Sequence, residues 1–203
     1  PDSVTALREA SGRGRAEVLK ALLAARADVN ARTDNGETPL MWASDMGHAA
    51  VVEMLLAAKA NVDAKANDGR TALFYASARG YAEVVKALLT AKADAKAKNN
   101  HADTALMVAS DQGHVGVAEE LLRAGADPNA KNKNGDTALM KASHRGHAEV
   151  VETLLAARAD VNSRNNNGET SLMWAVRGDH AEAAQTLLAA RADVNAKTNN
   201  GRT

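Results

Sequence analysis

An all-α fold assembled from stacked helix–turn–helix units is what the sequence predicts, and three observations predict it. The chain repeats itself every 33 residues without a slip: Thr5, Thr38, Thr71, Thr104, Thr137, Thr170 and Thr203 fall on that period. So do the Leu-Leu pairs that begin at Leu22, Leu55, Leu88, Leu121, Leu154 and Leu187. A period of this length marks units that cannot bury their own apolar face and must stack on one another. Each unit also carries the start and stop signals of two short helices. Finally, hydrophobic residues make up 45% of the 203 positions but aromatics only 2%, and 46 alanines supply the difference. Such a chain packs small side chains between closely spaced helices.

The second unit shows the elements in order. Thr38 is placed to cap a helix, Pro39 sits at the first helical position where its missing N–H is harmless, and Gly47 ends that helix. A second helix follows from Ala49 to Lys59, with Val51, Val52, Leu55 and Leu56 at helical spacing. Asn61-Val62-Asp63 then leads through Asp68-Gly69 to the next capping threonine, Thr71. The pairs Asn35-Gly36, Asp68-Gly69, Asn134-Gly135, Asn167-Gly168 and Asn200-Gly201 are strong turn signals. Each unit therefore reads helix, turn, helix, then a projecting β-hairpin-like loop, with no strand of ordinary length. The units run at about residues 2–34, 35–67, 68–100, 101–133, 134–166 and 167–199, in one domain over 1–203 that ends in a truncated stub.

The pattern Asn-Gly-Glu-Thr-Pro-Leu-Met-x-Ala, Gly-His-x-x-Val-Val, Leu-Leu, Ala-Asp-Val-Asn resembles the ankyrin repeat, and the likeness covers nearly the whole chain. The resemblance implies an antiparallel helix pair with a loop at right angles, stacked into a curved solenoid. It also implies a protein-binding scaffold that works through its loop tips and the concave face of its first helices. The family's motif histidine is replaced by Arg8, Met41, Phe74, Met107, Met140 and Met173, a largely apolar ladder expected to pack inside. The family's glycine after the second helix is Arg26, Lys59, Lys92, Arg158 and Arg191, with only Gly125 conventional. Cations there compensate the helix dipole and offset part of the strain of a left-handed non-glycine residue.

The fourth unit is the least regular. Ala102 replaces the loop glycine, Ala95-Lys96 stands for Val-Asn just before it, and Gly116 falls inside a helix. In the last unit the break between helices moves to Gly178-Asp179, and Ala183-Ala184 weakens the Val-Val pair. Scattered departures of this kind read as a natural sequence, and the alanine-rich units with methionine at the histidine position look like bacterial ankyrin proteins. Arg8, Glu9, Arg13 and Arg15 read as a polar first unit. Fastest amide exchange is expected in the sixth unit, whose last helices would lack a cover, and from Ala102 to Gly116.

Several function classes are disfavoured. Twenty-five basic residues balance 25 acidic ones, so there is no cationic excess for nucleic acid. No cysteine is present, which removes disulfides, thiolate metal sites and cysteine nucleophiles. No apolar run is long enough to insert into a membrane. The chain starts at Pro1 without a signal-like segment, so a removed leader is expected if there was one, leaving cytoplasm or periplasm open. His48, His114, His147 and His180 form one column, but units about 10 Å apart cannot share a metal ion. Ser44, Ser77, Ser110 and Ser143 recur at a small-residue packing position without the base and orienter a nucleophile needs. No cofactor, metal or catalytic residue is expected, and the protein is read as a non-enzyme.

What remains is the column after the methionine ladder: Glu9, Trp42, Tyr75, Val108, Lys141 and Trp174. It holds three of the five aromatic residues, and in the ankyrin geometry it faces the concave groove. Side chains at the ends of the first helices flank it. The expected partner-binding residues are Trp42, Asp45, Met46, Tyr75, Arg79, Asp111, Gln112, Lys141, His144, Arg145, Trp174 and Arg177. Aromatics among charges of both signs suit a specific protein interface. Asp34, Asp68, Asp103 and Asp136 are expected to be rim charges on the loop tips. The function expected is a monomeric, non-enzymatic scaffold for a protein partner. An inhibitor or immunity protein that occludes an enzyme's active site is an alternative, and a sugar or small-molecule binder is an alternative of another class.

Overall fold

The computed structural model describes residues 3–202, and side chains from Ala6 onward. Thr203 and the side chain of Thr5, two members of the threonine column, lie outside the described residues. Among the described residues twelve helices occur in six pairs, with no sheet. The chain divides into two compact units, one up to Asn100 and one from His101. The first contains α1 (Ser3–Gly12), α2 (Ala16–Ala24), α3 (Pro39–Asp45), α4 (Ala49–Ala57), α5 (Ala72–Arg79) and α6 (Ala82–Thr90). The second contains α7 (Ala105–Gln112), α8 (Val115–Arg123), α9 (Ala138–Arg145), α10 (Ala148–Ala156), α11 (Ser171–Arg177) and α12 (Ala181–Ala189). Within each unit the odd helices pack in one row and the even helices in another.

Local chemistry accounts for each helix. Thr38, Thr71, Thr104, Thr137 and Thr170 hold extended backbone angles, and each hydroxyl oxygen accepts the amide N–H three residues on. At the first of these, the Thr38 N–H is also donated to the Met41 sulfur at 3.4 Å, so methionine closes a capping box. Every second helix ends on an alanine cap followed by a left-handed residue: Arg26, Lys59, Lys92, Gly125, Arg158 and Arg191.

The core is a stack of small and medium side chains. Leu7, Leu40, Met41 and Leu73 in the first unit, and Leu106, Met107, Leu139 and Met140 in the second, are at most 2% exposed. Leu19, Leu55 and Leu88, and Leu121, Leu154 and Leu187, on the even helices, are fully buried as well. Full burial of one such leucine contributes roughly 1.5–3 kcal/mol. Ala43, Ala76, Ala109, Ala142 and Ala175, beside Ser44, Ser77, Ser110 and Ser143, are fully covered and let neighbouring helices approach closely. Phe74 and Met173 are the half-open members of the apolar ladder.

The histidine column links neighbouring pairs. His48 Nε2–H donates to the Gly12 carbonyl at 3.1 Å, His147 to the Asp111 carbonyl at 3.1 Å and His180 to the His144 carbonyl at 3.0 Å. Each ring lies where a side chain at the preceding left-handed glycine would stand. A Cβ at Gly14, Gly113 or Gly146 would come within 2.8, 2.7 or 2.5 Å of it. Both backbone and space therefore demand glycine there.

Two expectations need correction. In α11 the break does not move. Gly178 is right-handed, and the left-handed residue is Asp179, at φ 57°, in the register of Gly47. Only the glycine has shifted, leaving an aspartate in the strained position. Asp136 is not a rim charge: it is 4% exposed and accepts the Asn165 amide at 3.1 Å.

Candidate functional site

The loops and first helices place the expected binding residues along one face of each unit. The loops at 33–37, 66–70, 132–136, 165–169 and 198–202 each close as a two-bond hairpin. In the first, Gly36 N–H donates to Thr33 O at 2.8 Å and Thr33 N–H to Glu37 O at 3.0 Å. Neighbouring loops are joined at their tips, Asn67 N–H to Asn35 O at 2.9 Å and Asn67 Nδ2 to Asp34 O at 2.8 Å. Asn166 repeats both contacts on Asn134 and Lys133 in the second unit. A charged residue stands just before each threonine of the column from Thr38 on: Glu37, Arg70, Asp103, Asp136, Glu169 and Arg202. Sequence reasoning singled out Asp103 and Asp136 as rim charges but missed the charged column to which they belong, although it lies on the same 33-residue period.

In the first unit Trp42, Asp45, Met46, Tyr75 and Arg79 come together on α3 and α5. Arg79 Nε pairs with Asp45 Oδ1 at 2.9 Å, and Met46 is 42% exposed. The Arg8 guanidinium lies 5.4 Å from the Trp42 ring centre and that of Arg70 4.9 Å from the Tyr75 ring, both cation–π distances. Tyr75 is the exception to the expected open column. It is 8% exposed, its hydroxyl donates to Glu37 Oε1 at 3.2 Å, and burial pushes the phenol up to about 12. It is a wall of the site and offers little contact area of its own.

In the second unit Asp111, Gln112, Lys141, His144, Arg145, Trp174 and Arg177 share the face of α7, α9 and α11. Arg145 Nε reaches Asp111 Oδ1 at 3.2 Å, repeating the Arg79–Asp45 pair, and Gln112 donates to Asp111 at 3.0 Å. Lys141 stands 3.6 Å from Asp136. Trp174 is held on two sides. His144 meets its ring edge-on at 5.1 Å, and its Nε1–H donates to Glu169 Oε2 at 3.1 Å. Glu169 also receives Arg177 at 2.6 Å and Asn165 at 3.1 Å. Burial works to raise the Glu169 carboxyl, but these three donors outweigh it and hold the carboxyl below the ordinary glutamate value.

A cleft of about 690 Å³ lies elsewhere, between α11 and the loop after α12, and is lined by Leu172, Met173, Val176 and Val194. It is the stacking face of a repeat: counterparts of these residues, such as Leu40, Met41 and Leu139, are covered by their neighbours. Of the expected binding residues only Arg177 lines it, together with Glu169.

Helix pair, left-handed exit and tip-to-tip hairpin recur through both units, and a family model described as ankyrin repeats (3 copies) matches residues 1–66, 58–132 and 106–198. The chain belongs to the ankyrin-repeat family. No curated protein matches it. Ankyrin repeats are generally protein–protein interaction modules and typically work without catalysis. Among the described residues, no helix of this ankyrin-repeat chain is long and apolar enough to cross a membrane.

Proposed function

We propose that this protein binds a protein partner through the odd-helix face of its units and the adjoining loops. The observation that carries this reading is Trp174. It is a half-open aromatic held rigid by Glu169 and His144, beside the exposed heads of Arg145 and Arg177. An immobilised aromatic gives contact area at little entropic cost. The acids and bases of the face are already paired with each other, so the surface presents a fixed, nearly neutral pattern, which favours specificity over bulk electrostatic capture. A sugar would need open ring faces, and guanidinium groups occupy one face of Trp42 and of Tyr75.

A binding titration tests the reading, with a partner isolated by pull-down and comparing Trp174→Ala and Trp42→Ala with Lys86→Ala on the opposite face. Each tryptophan variant is expected to weaken binding by about 1–3 kcal/mol with helical circular dichroism retained. Lys86→Ala is expected to bind as the parent does. Tryptophan variants that bind normally while Lys86→Ala fails would place the interface on the even-helix side.

A further inference from the structure

Five of the six even helices leave through a cation in left-handed backbone: Arg26, Lys59, Lys92, Arg158 and Arg191, at φ between 61° and 70°. Only glycine adopts that conformation without strain. The helix dipole explains a cation near this end, but not its place on the strained residue. The end of α8 shows the unstrained arrangement, with Arg123 in the last turn and Gly125 at the exit. The helices α2, α4 and α6 have no basic residue in the last turn. Each is capped by alanine (Ala25, Ala58 and Ala91) and carries its cation one place later. Strain of this kind concentrates where the side chain it presents has a function.

In the first compact unit these side chains belong to a charged strip. Arg26, Lys59 and Lys92 are exposed and make no ion pair among the described residues. Six residues on stand Arg32, Lys65 and Lys98, exposed as well. Arg32 Nη2 donates to Lys65 O at 2.6 Å and Lys65 Nζ to Lys98 O at 3.3 Å, which ties each loop to the next. Residues 26–32, 59–65 and 92–98 together hold seven cations and three acids. Those acids, Asp28, Asp63 and Asp94, each already accept a backbone N–H at 2.9–3.0 Å. The negative half-charges of three helix ends leave most of the cationic excess standing.

We infer that the exits of α2, α4 and α6 form a docking strip for an acidic, extended segment of a partner protein, with a carboxylate at every third residue. Stacked helices sit about 10 Å apart. Every third residue of an extended polyproline-type chain returns to the same side after about 9 Å, so its carboxylates meet successive exits. Nucleic acid fits less well, because its charge continues past the strip at one per ~1.7 Å of duplex. The rest of residues 1–100 holds nine acids to seven bases and opposes such an extension. The strip shares no residue with the odd-helix face, so it stands or falls separately from that face.

The probe is a short fluorescent peptide with glutamate at every third position and glycine and serine between, titrated with the full chain and followed by anisotropy. Expected is saturable binding that weakens as salt rises and is absent for the same peptide with glutamine in place of glutamate. The triple variant Arg26→Gly, Lys59→Gly and Lys92→Gly is expected to bind about tenfold more weakly. Its helical circular dichroism is retained, since Gly125 already fills this register, and its urea midpoint stays level or rises as the strain is relieved. The triple variant Arg13→Gln, Lys20→Gln and Lys86→Gln removes the same charge elsewhere in residues 1–100 and is expected to bind as the parent does. Absence of saturable binding to the parent overturns the strip. Equal weakening by the two triple variants overturns it in favour of bulk charge. A glycine variant that binds as the parent does returns the cations to the helix dipole alone. Single-stranded DNA of matched length that binds more tightly than the peptide overturns the acidic segment in favour of nucleic acid.

Discussion

Left-handed backbone at Arg26, Lys59, Lys92, Arg158 and Arg191 carries a cation at a helix C-terminus, where the dipole offsets part of the strain. Ala102, at φ 62°, and Asp179, at φ 57°, have no such compensation, and the aspartate charge is adverse at that end. Ala102→Gly and Asp179→Gly are each expected to stabilise by about 1 kcal/mol, read as a higher urea midpoint at unchanged slope. Gly116 is the converse: it lies in α8 and a Cβ there would meet nothing within 4 Å. Gly116→Ala should therefore stabilise by about 0.5–1 kcal/mol. Ser171 is fully buried with a hydroxyl that has no partner among the described residues, while Ala72, Ala105 and Ala138 hold its register. Ser171→Ala should raise stability by about 1 kcal/mol, and a drop would show that the hydroxyl is satisfied in solution.

At the scale of the helix and its loop, two titrations are expected. Glu169 ties the loop before α11 to Trp174 and Arg177, and its carboxyl is depressed in the folded chain. A depressed carboxyl contributes stability that is present above its unfolded-state value and lost as pH falls through the folded one. Trp174 fluorescence should thus change only below the ordinary glutamate range, and Glu169→Gln should abolish that change. Tyr75 has the opposite sign: its phenol, raised by burial to about 12, contributes stability that is complete below pH 10 and lost as pH climbs toward about 12. Phenolate absorbance against Tyr75→Phe reads it. The helices themselves were legible in the sequence, because Thr caps, glycine exits and leucine pairs act within a few residues. The aromatic column was legible as a column. That Tyr75 is closed by Glu37 and Arg70 was not, since it depends on which way the Glu37 carboxylate and the Arg70 guanidinium turn in the folded chain. Likewise the glycine of α11 was read as moving the break, when backbone register outweighs the local preference for glycine.

For the molecule as a whole, the formal net charge is zero and the acids of the proposed face are largely paired with its bases. Association with a partner should therefore depend little on salt. The rate should change by far less than the roughly ten- to thousandfold that steering produces, and stopped-flow mixing at two ionic strengths measures it. The tip-to-tip loop bonds have a different kind of consequence. Asn67 meets Asn35, and Asn166 meets Asn134, one repeat back each time. A single codon gained or lost in a loop slides its tip out of reach of the loops on either side. Loss or gain of a whole repeat leaves every remaining tip facing an equivalent neighbour. A change in the length of such a chain is therefore expected to keep its tip bonds only in complete repeats, and the 33-residue register of this chain is unbroken.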